Sequence, residues 1–113
     1  METTIIKFMD IISNIKIFHW KTKSYAEHKA SDSLYNSLNS HMDKFAEVYL
    51  GSIGGRFDFT TKKTIHIADR NIVTEVKNFI KFINSLNLSG DLSNIREETV
   101  ADCNQFLYLM SFK

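Results

Sequence analysis

The sequence predicts an all-α fold, a four-helix bundle, on three observations. Apolar residues recur at intervals of three and four through four separate stretches, the spacing that lines one face of a helix. Proline is absent, and the four glycines fall in only two places, Gly51, Gly54 and Gly55 together and then Gly90. Between those places nothing breaks the periodicity.

Each element has its own stripe. Helix one, about residues 2–23, carries Ile5, Phe8, Met9, Ile12, Ile15 and His19 at helical spacing. Helix two, about 26–50, carries Ala26, Ala30, Leu34, Leu38, Met42, Phe45 and Tyr49, and Gly51 is placed to end it, since a helix commonly stops on a glycine in the left-handed conformation. Helix three, about 69–87, has Ile72, Val76, Phe79, Ile80, Ile83 and Leu86. Helix four begins near Asn94, where Asn94-x-x-Glu97 reads as a capping box, and continues through Ile95, Thr99, Cys103, Phe106, Leu107 and Met110. Four amphipathic helices, each with one apolar face, make a bundle.

Residues 52–68 decide which bundle. Extended at about 3.3 Å each they reach roughly 55 Å, more than the length of a 25-residue helix. A crossover is therefore open, with helix three parallel to helix two in an up-down-down-up order. Within this segment Phe57-Asp58-Phe59-Thr60 and Thr64-Ile65-His66-Ile67 alternate, which reads as short extended strands, with a single helical turn as the competing reading.

Composition narrows the function. The 113 residues form one domain, 1–113, and the formal charge is only +1 with acids and bases interspersed, so a nucleic-acid binder's electrostatic footprint is missing and no DNA binding is expected. No apolar run approaches the eighteen or so residues of a membrane span, and Met1-Glu2-Thr3-Thr4 leads into an amphipathic pattern rather than a signal peptide. The cytoplasm is the expected compartment, or the host cytoplasm or the virion if the protein is viral. Cys103 is the single cysteine and reads as a small core residue, not part of a disulfide framework. Lysine outnumbers arginine, and Asn, Ile and Ser are abundant, a usage that fits an AT-rich virus, phage or low-GC bacterium.

The chemistry lies on helix two. His28-x-x-x-Asp32 and Asp43-x-x-x-Glu47 each place two metal-ligating side chains four residues apart, one above the other on a single helix face. Imidazole nitrogen and carboxylate oxygen suit iron, manganese or zinc. The fifteen residues from His28 to Asp43 rise roughly 22 Å, too far for both pairs to hold one ion within one chain. Two copies of helix two packed antiparallel across a two-fold axis would bring the His28/Asp32 end of one to the Asp43/Glu47 end of the other, making two identical sites. A homodimer through helix two is the expected minimum assembly. Glu98 and Asp102 form another i, i+4 pair that reads as a solvated face, and His41 and His66 read as surface residues.

Phe18-His19-Trp20-Lys21-Thr22-Lys23, followed by His28, Asp32, Asp43 and Glu47 at these intervals, resembles the Dps mini-ferritins of the ferritin-like superfamily, whose signature is a His-Trp pair late in the first helix and His-x3-Asp-x10-Asp-x3-Glu on the second. Asp102-Cys103-Asn104-Gln105-Phe106-Leu107-Tyr108-Leu109-Met110 is similar to the family's last helix. The resemblance implies a ferritin-like bundle, a dinuclear ferroxidase site across a two-fold interface, iron as the metal with zinc or manganese as substitutes, oxidation of Fe(II) by peroxide or oxygen for detoxification or storage, and a larger shell. It implies metal ligation by His19, His28, Asp32, Asp43 and Glu47. The sequence departs from the pattern in two places: the interval from His19 to His28 is shorter than the family's, and Ser24 stands where the family has glycine. Two readings of His19 stay open, a ligand completing the set and a hydrogen-bonded core histidine. Trp20 is expected to pack at the interface. The alternative function is a ferritin-like structural or assembly protein with weak or no metal activity.

Overall fold

A computed structural model describes residues 1–68 and 70–112. Four helices follow one another: α1 (Glu2–Lys21), α2 (Tyr25–Ile53), α3 (Ile72–Asn84) and α4 (Gly90–Leu109). α1 packs on α2 and α3, and α4 packs on the same two, so α2 and α3 stand on one diagonal of a four-helix bundle and α1 and α4 on the other. The 47 Å long axis is set by α2, whose 29 residues rise about 43 Å.

The buried residues are those of the four stripes. Ile5, Phe8, Ile12 and Ile15 of α1 meet Leu34, Leu38 and Phe45 of α2, Val76, Phe79 and Ile83 of α3, and Ile95, Cys103 and Phe106 of α4. Phe8 is the centre: its ring lies 5.7 Å from that of Phe45 and 5.2 Å, edge-on, from that of Phe79. Such tilted and edge-to-face pairs add to the stabilisation from burying the rings themselves.

The long connection is a crossover, and α1 holds it. The backbone N–H of Asp58 donates to Glu2 (3.0 Å), that of His66 to Asp10 (2.8 Å) and that of Ala68 to Asn14 (2.7 Å). The segment therefore runs along α1 from its first turn towards its last. Asn14 is buried and uses its amide N–H groups as well, donating to the carbonyls of Asp10 and His66. Asn14 holds Ala68 at the approach to α3, while Lys7 lies against Phe82 late in α3, so α3 runs antiparallel to α1. α2, reversed on α1 by a three-residue turn, is then parallel to α3, and the order is up-down-down-up. The short extended strands expected in the segment do not form among the described residues. Its backbone groups bond to α1 side chains rather than to a second strand, and the single-turn helix reading fails for the same reason.

Several boundaries differ from the sequence expectation. α2 passes through Gly51 and stops at Gly54, where φ is 66° and the N–H donates to the carbonyl of Leu50. The left-handed residue is the one that ends the helix, and Gly51 keeps a helical conformation. α4 starts at Gly90, a turn before Asn94, with Ser89 at its N-cap, so the Asn94-x-x-Glu97 pattern lies inside the helix and caps nothing. α3 is shorter than expected, Ile72–Asn84, entered through Asn71, whose side chain accepts from the Val73 N–H; position 69, the expected start, lies outside the described residues. Its exit is held by Arg96 of α4, which donates to the carbonyl of Leu86 at 2.5 Å and, more weakly, to that of Ile83. A cation there also complements the negative end of the helix. Among the described residues no helix is long and apolar enough to cross a membrane.

Candidate metal centre

The turn from α1 to α2 builds the first half of the site. Thr22 leaves the helix in an extended conformation, and Ser24 opens α2 by accepting from the Glu27 N–H at 3.3 Å. The Glu27 carboxylate accepts from the Thr22 hydroxyl at 2.6 Å, and that hydroxyl oxygen accepts from the Ser24 N–H. These three hydrogen bonds close the turn tightly around Ser24. The turn also brings His19, on the last turn of α1, directly against His28, on the first turn of α2.

The two imidazoles stack, with ring centroids 3.7 Å apart and planes at 21°. Each bonds to the other's backbone: His19 Nδ1 lies 2.9 Å from the carbonyl oxygen of His28, and His28 Nδ1 lies 2.9 Å from that of His19. A carbonyl oxygen only accepts, so each Nδ1 carries the proton, and in the neutral ring each Nε2 keeps its lone pair. Ser31 Oγ is 3.2 Å from His19 Nδ1 and itself donates to the carbonyl of Glu27, which makes it a second acceptor for the same N–H. His19 is buried and His28 half-buried.

The three carboxylates occupy the face of α2 that continues from His28. On an ideal helix His28, Asp32, Asp43 and Glu47 fall within an arc of about 100°. Asp32 is half-buried, and Asp43 and Glu47 are exposed. None of the three makes a hydrogen bond or ion pair with another of the described residues. The histidine pair and the Asp43/Glu47 pair stand at opposite ends of a continuous helix, and among the described residues no three His, Cys, Asp or Glu side chains of one chain converge tightly enough to hold an ion. Within a single chain, then, the structure brings His19 and His28 together and keeps Asp43 and Glu47 apart from them.

An aromatic rim borders the histidines. Trp20 is 66 % exposed and Tyr25 74 %, and the Tyr25 ring stacks beyond His28 at 6.4 Å. Lys16 spans from the Trp20 ring (5.6 Å) to that of Tyr35 (4.4 Å).

His41 and Asp102 differ from their expected solvated roles. His41 Nε2 lies 2.6 Å from Asp102 Oδ2, with Glu98 4.0 Å from its Nδ1, and the His41 side chain is mostly buried. The pair ties α2 to α4. Their separation of 61 positions along the chain hid it, because only the tertiary packing of the helices puts them side by side. His66 is exposed, as expected, and contributes its backbone to the crossover. Cys103 is fully buried and its thiol is pushed up to about 12, by burial first and by the adjacent Asp102 charge second.

A family model described as a family of unknown function, DUF5856, matches residues 19–110. The chain belongs to DUF5856. The matched span begins at His19 and takes in both histidines and all three carboxylates of the candidate centre. The chain is also similar to an uncharacterized 14.6 kDa protein in the mobD-ri intergenic region of Enterobacteria phage T4, 49 % identical over 39 residues, which is 34 % of this chain and 30 % of the relative. The similarity thus spans about a third of that phage protein. No solved structure matches the DUF5856 chain.

Proposed function

We propose that this chain is an iron-binding protein of the mini-ferritin type, in which Fe(II) is a substrate taken at a site assembled between two subunits. His28 and Asp32 of one chain would act with Asp43 and Glu47 of the other. One observation carries the reading: His28 has its Nδ1–H tied to a backbone carbonyl, the arrangement that leaves Nε2 as the ligating atom and fixes the ring's orientation, and three carboxylates without partners among the described residues lie on the same helix face. Carboxylate and imidazole donors fit iron, and carboxylates favour Fe(III) over Fe(II), which is what oxidation needs. The residues bind and orient the ion; peroxide or oxygen accepts the electrons.

A second reading is a structural or assembly protein with the same bundle, in keeping with the phage relative and with a single chain whose described residues gather no three ligands. Fe(II) oxidation followed in the near ultraviolet separates the two. For the first reading, oxidation exceeds the protein-free rate and collapses in Asp43→Ala and in His28→Ala. Rates equal to buffer in the unaltered protein support the second.

A further inference from the structure

The stacked histidines divide the labour between them. His19 is buried, its Nδ1–H is directed at the carbonyl of His28 and at Ser31 Oγ, and its ring lies flat against that of His28. Drawing its imidazole out towards an ion on the α2 face would break both contacts and the stack. The turn between the two residues has no slack, since Thr22, Ser24 and Glu27 close it with three hydrogen bonds. His28 lies further out, half-buried, and its own Nδ1–H is held by the backbone of α1 rather than by any side chain.

We infer that His19 is a positioning residue, a plate that fixes the plane of the His28 ring, and that His28 alone presents its Nε2 to the metal. The inference rests on the metal-centre reading and refines it, for it takes away one of the five expected ligands. A side chain that orients a ligand from behind typically changes metal affinity by about ten- to a hundred-fold when removed, whereas loss of the ligand removes the site.

Zn(II), which is diamagnetic, serves as the probe, with the histidine nitrogens of the intact protein observed by NMR. Without metal, both rings should show the Nδ1–H form; an Nε2–H ring at either position would overturn the clasp. On adding Zn(II), the Nε2 resonance of His28 should move and that of His19 should not. Movement of both would make His19 a ligand and overturn the inference. Zn(II) that leaves both unmoved would overturn the metal-centre reading as well.

Variants give a second readout. His19→Phe keeps a flat ring and has no nitrogen, so Zn(II) affinity should stay within about ten-fold of the unaltered protein. His19→Ala, which removes the plate, should bind more weakly than His19→Phe, and His28→Ala should not bind. If His19→Phe is folded by circular dichroism yet loses Zn(II) as completely as His28→Ala, the inference fails; if it does not fold, the NMR comparison decides alone.

Discussion

Asp32, Asp43 and Glu47 are charged side chains that find no partner among the described residues of their own chain. If two subunits gather them at one centre as proposed, three carboxylates repel one another, and a divalent cation removes that repulsion. Zn(II) should therefore raise Tm, and at a hundred times its Kd the gain is about 2.7 kcal/mol by mass action. Asp43→Asn combined with Glu47→Gln should fold normally and lose the shift; an unchanged shift would place the ions elsewhere. A second residue-scale expectation concerns Cys103, whose thiol is held near 12 against an ordinary value of 9.0. Between those values the unfolded chain has lost a proton that the folded chain keeps, so stability present below pH 9 declines as pH rises towards 12, by up to about 1.4 kcal/mol per pH unit. Cys103→Ala should flatten the alkaline limb of chemical denaturation relative to the unaltered protein, and parallel limbs would show that the thiol is not the cause. At this scale the spacing of the candidate ligands on α2 was legible because helical periodicity needs no tertiary information. The His41–Asp102 pair was not, since two residues on different helices leave no local pattern.

The ends of α2 show what an element-scale reading can resolve. Three glycines announced the helix end, yet only the backbone conformation tells which one makes it. Gly51 is helical and an added Cβ would meet nothing, whereas Gly54 holds φ at 66°. Gly51→Ala should stabilise the protein by about 0.5–1 kcal/mol through restricted backbone freedom. Gly54→Ala should destabilise it by about 1–2 kcal/mol, the cost of a side chain in the left-handed region. Urea midpoints of the two variants check the pair, and shifts of the same sign would contradict the assigned stop. The capping pattern at Asn94 misled because side-chain type alone does not locate an N-cap; the chain turns earlier, at Ser89 and Gly90. The crossover was legible only as reach. Its course depends on Glu2, Asp10 and Asn14 of α1, residues whose polar side chains could equally have faced water, and so its alternating pattern leaves strands and a helical turn both open.

The whole molecule is an up-down-down-up bundle whose four stripes meet around Phe8; periodicity gives the four helices, connection length only permits the crossover, and the contacts of α3 with α1 set its direction. The proposed metal centre requires an assembly, because α2 carries its two candidate ligand pairs roughly 22 Å apart. A mixing experiment tests it most directly. One variant lacks the first pair (His28→Ala, Asp32→Ala) and the other lacks the second (Asp43→Ala, Glu47→Ala), so neither alone can complete a shared site. Refolded together at random, half the dimers carry one chain of each kind, and in these one of the two sites regains all four ligands. The expected result is no Zn(II) bound by either variant alone and about a quarter of the unaltered protein's Zn(II) bound by the mixture, by the arithmetic of a two-fold dimer. A mixture that binds no more Zn(II) than its separate components, though it forms mixed dimers, would contradict a centre shared between subunits.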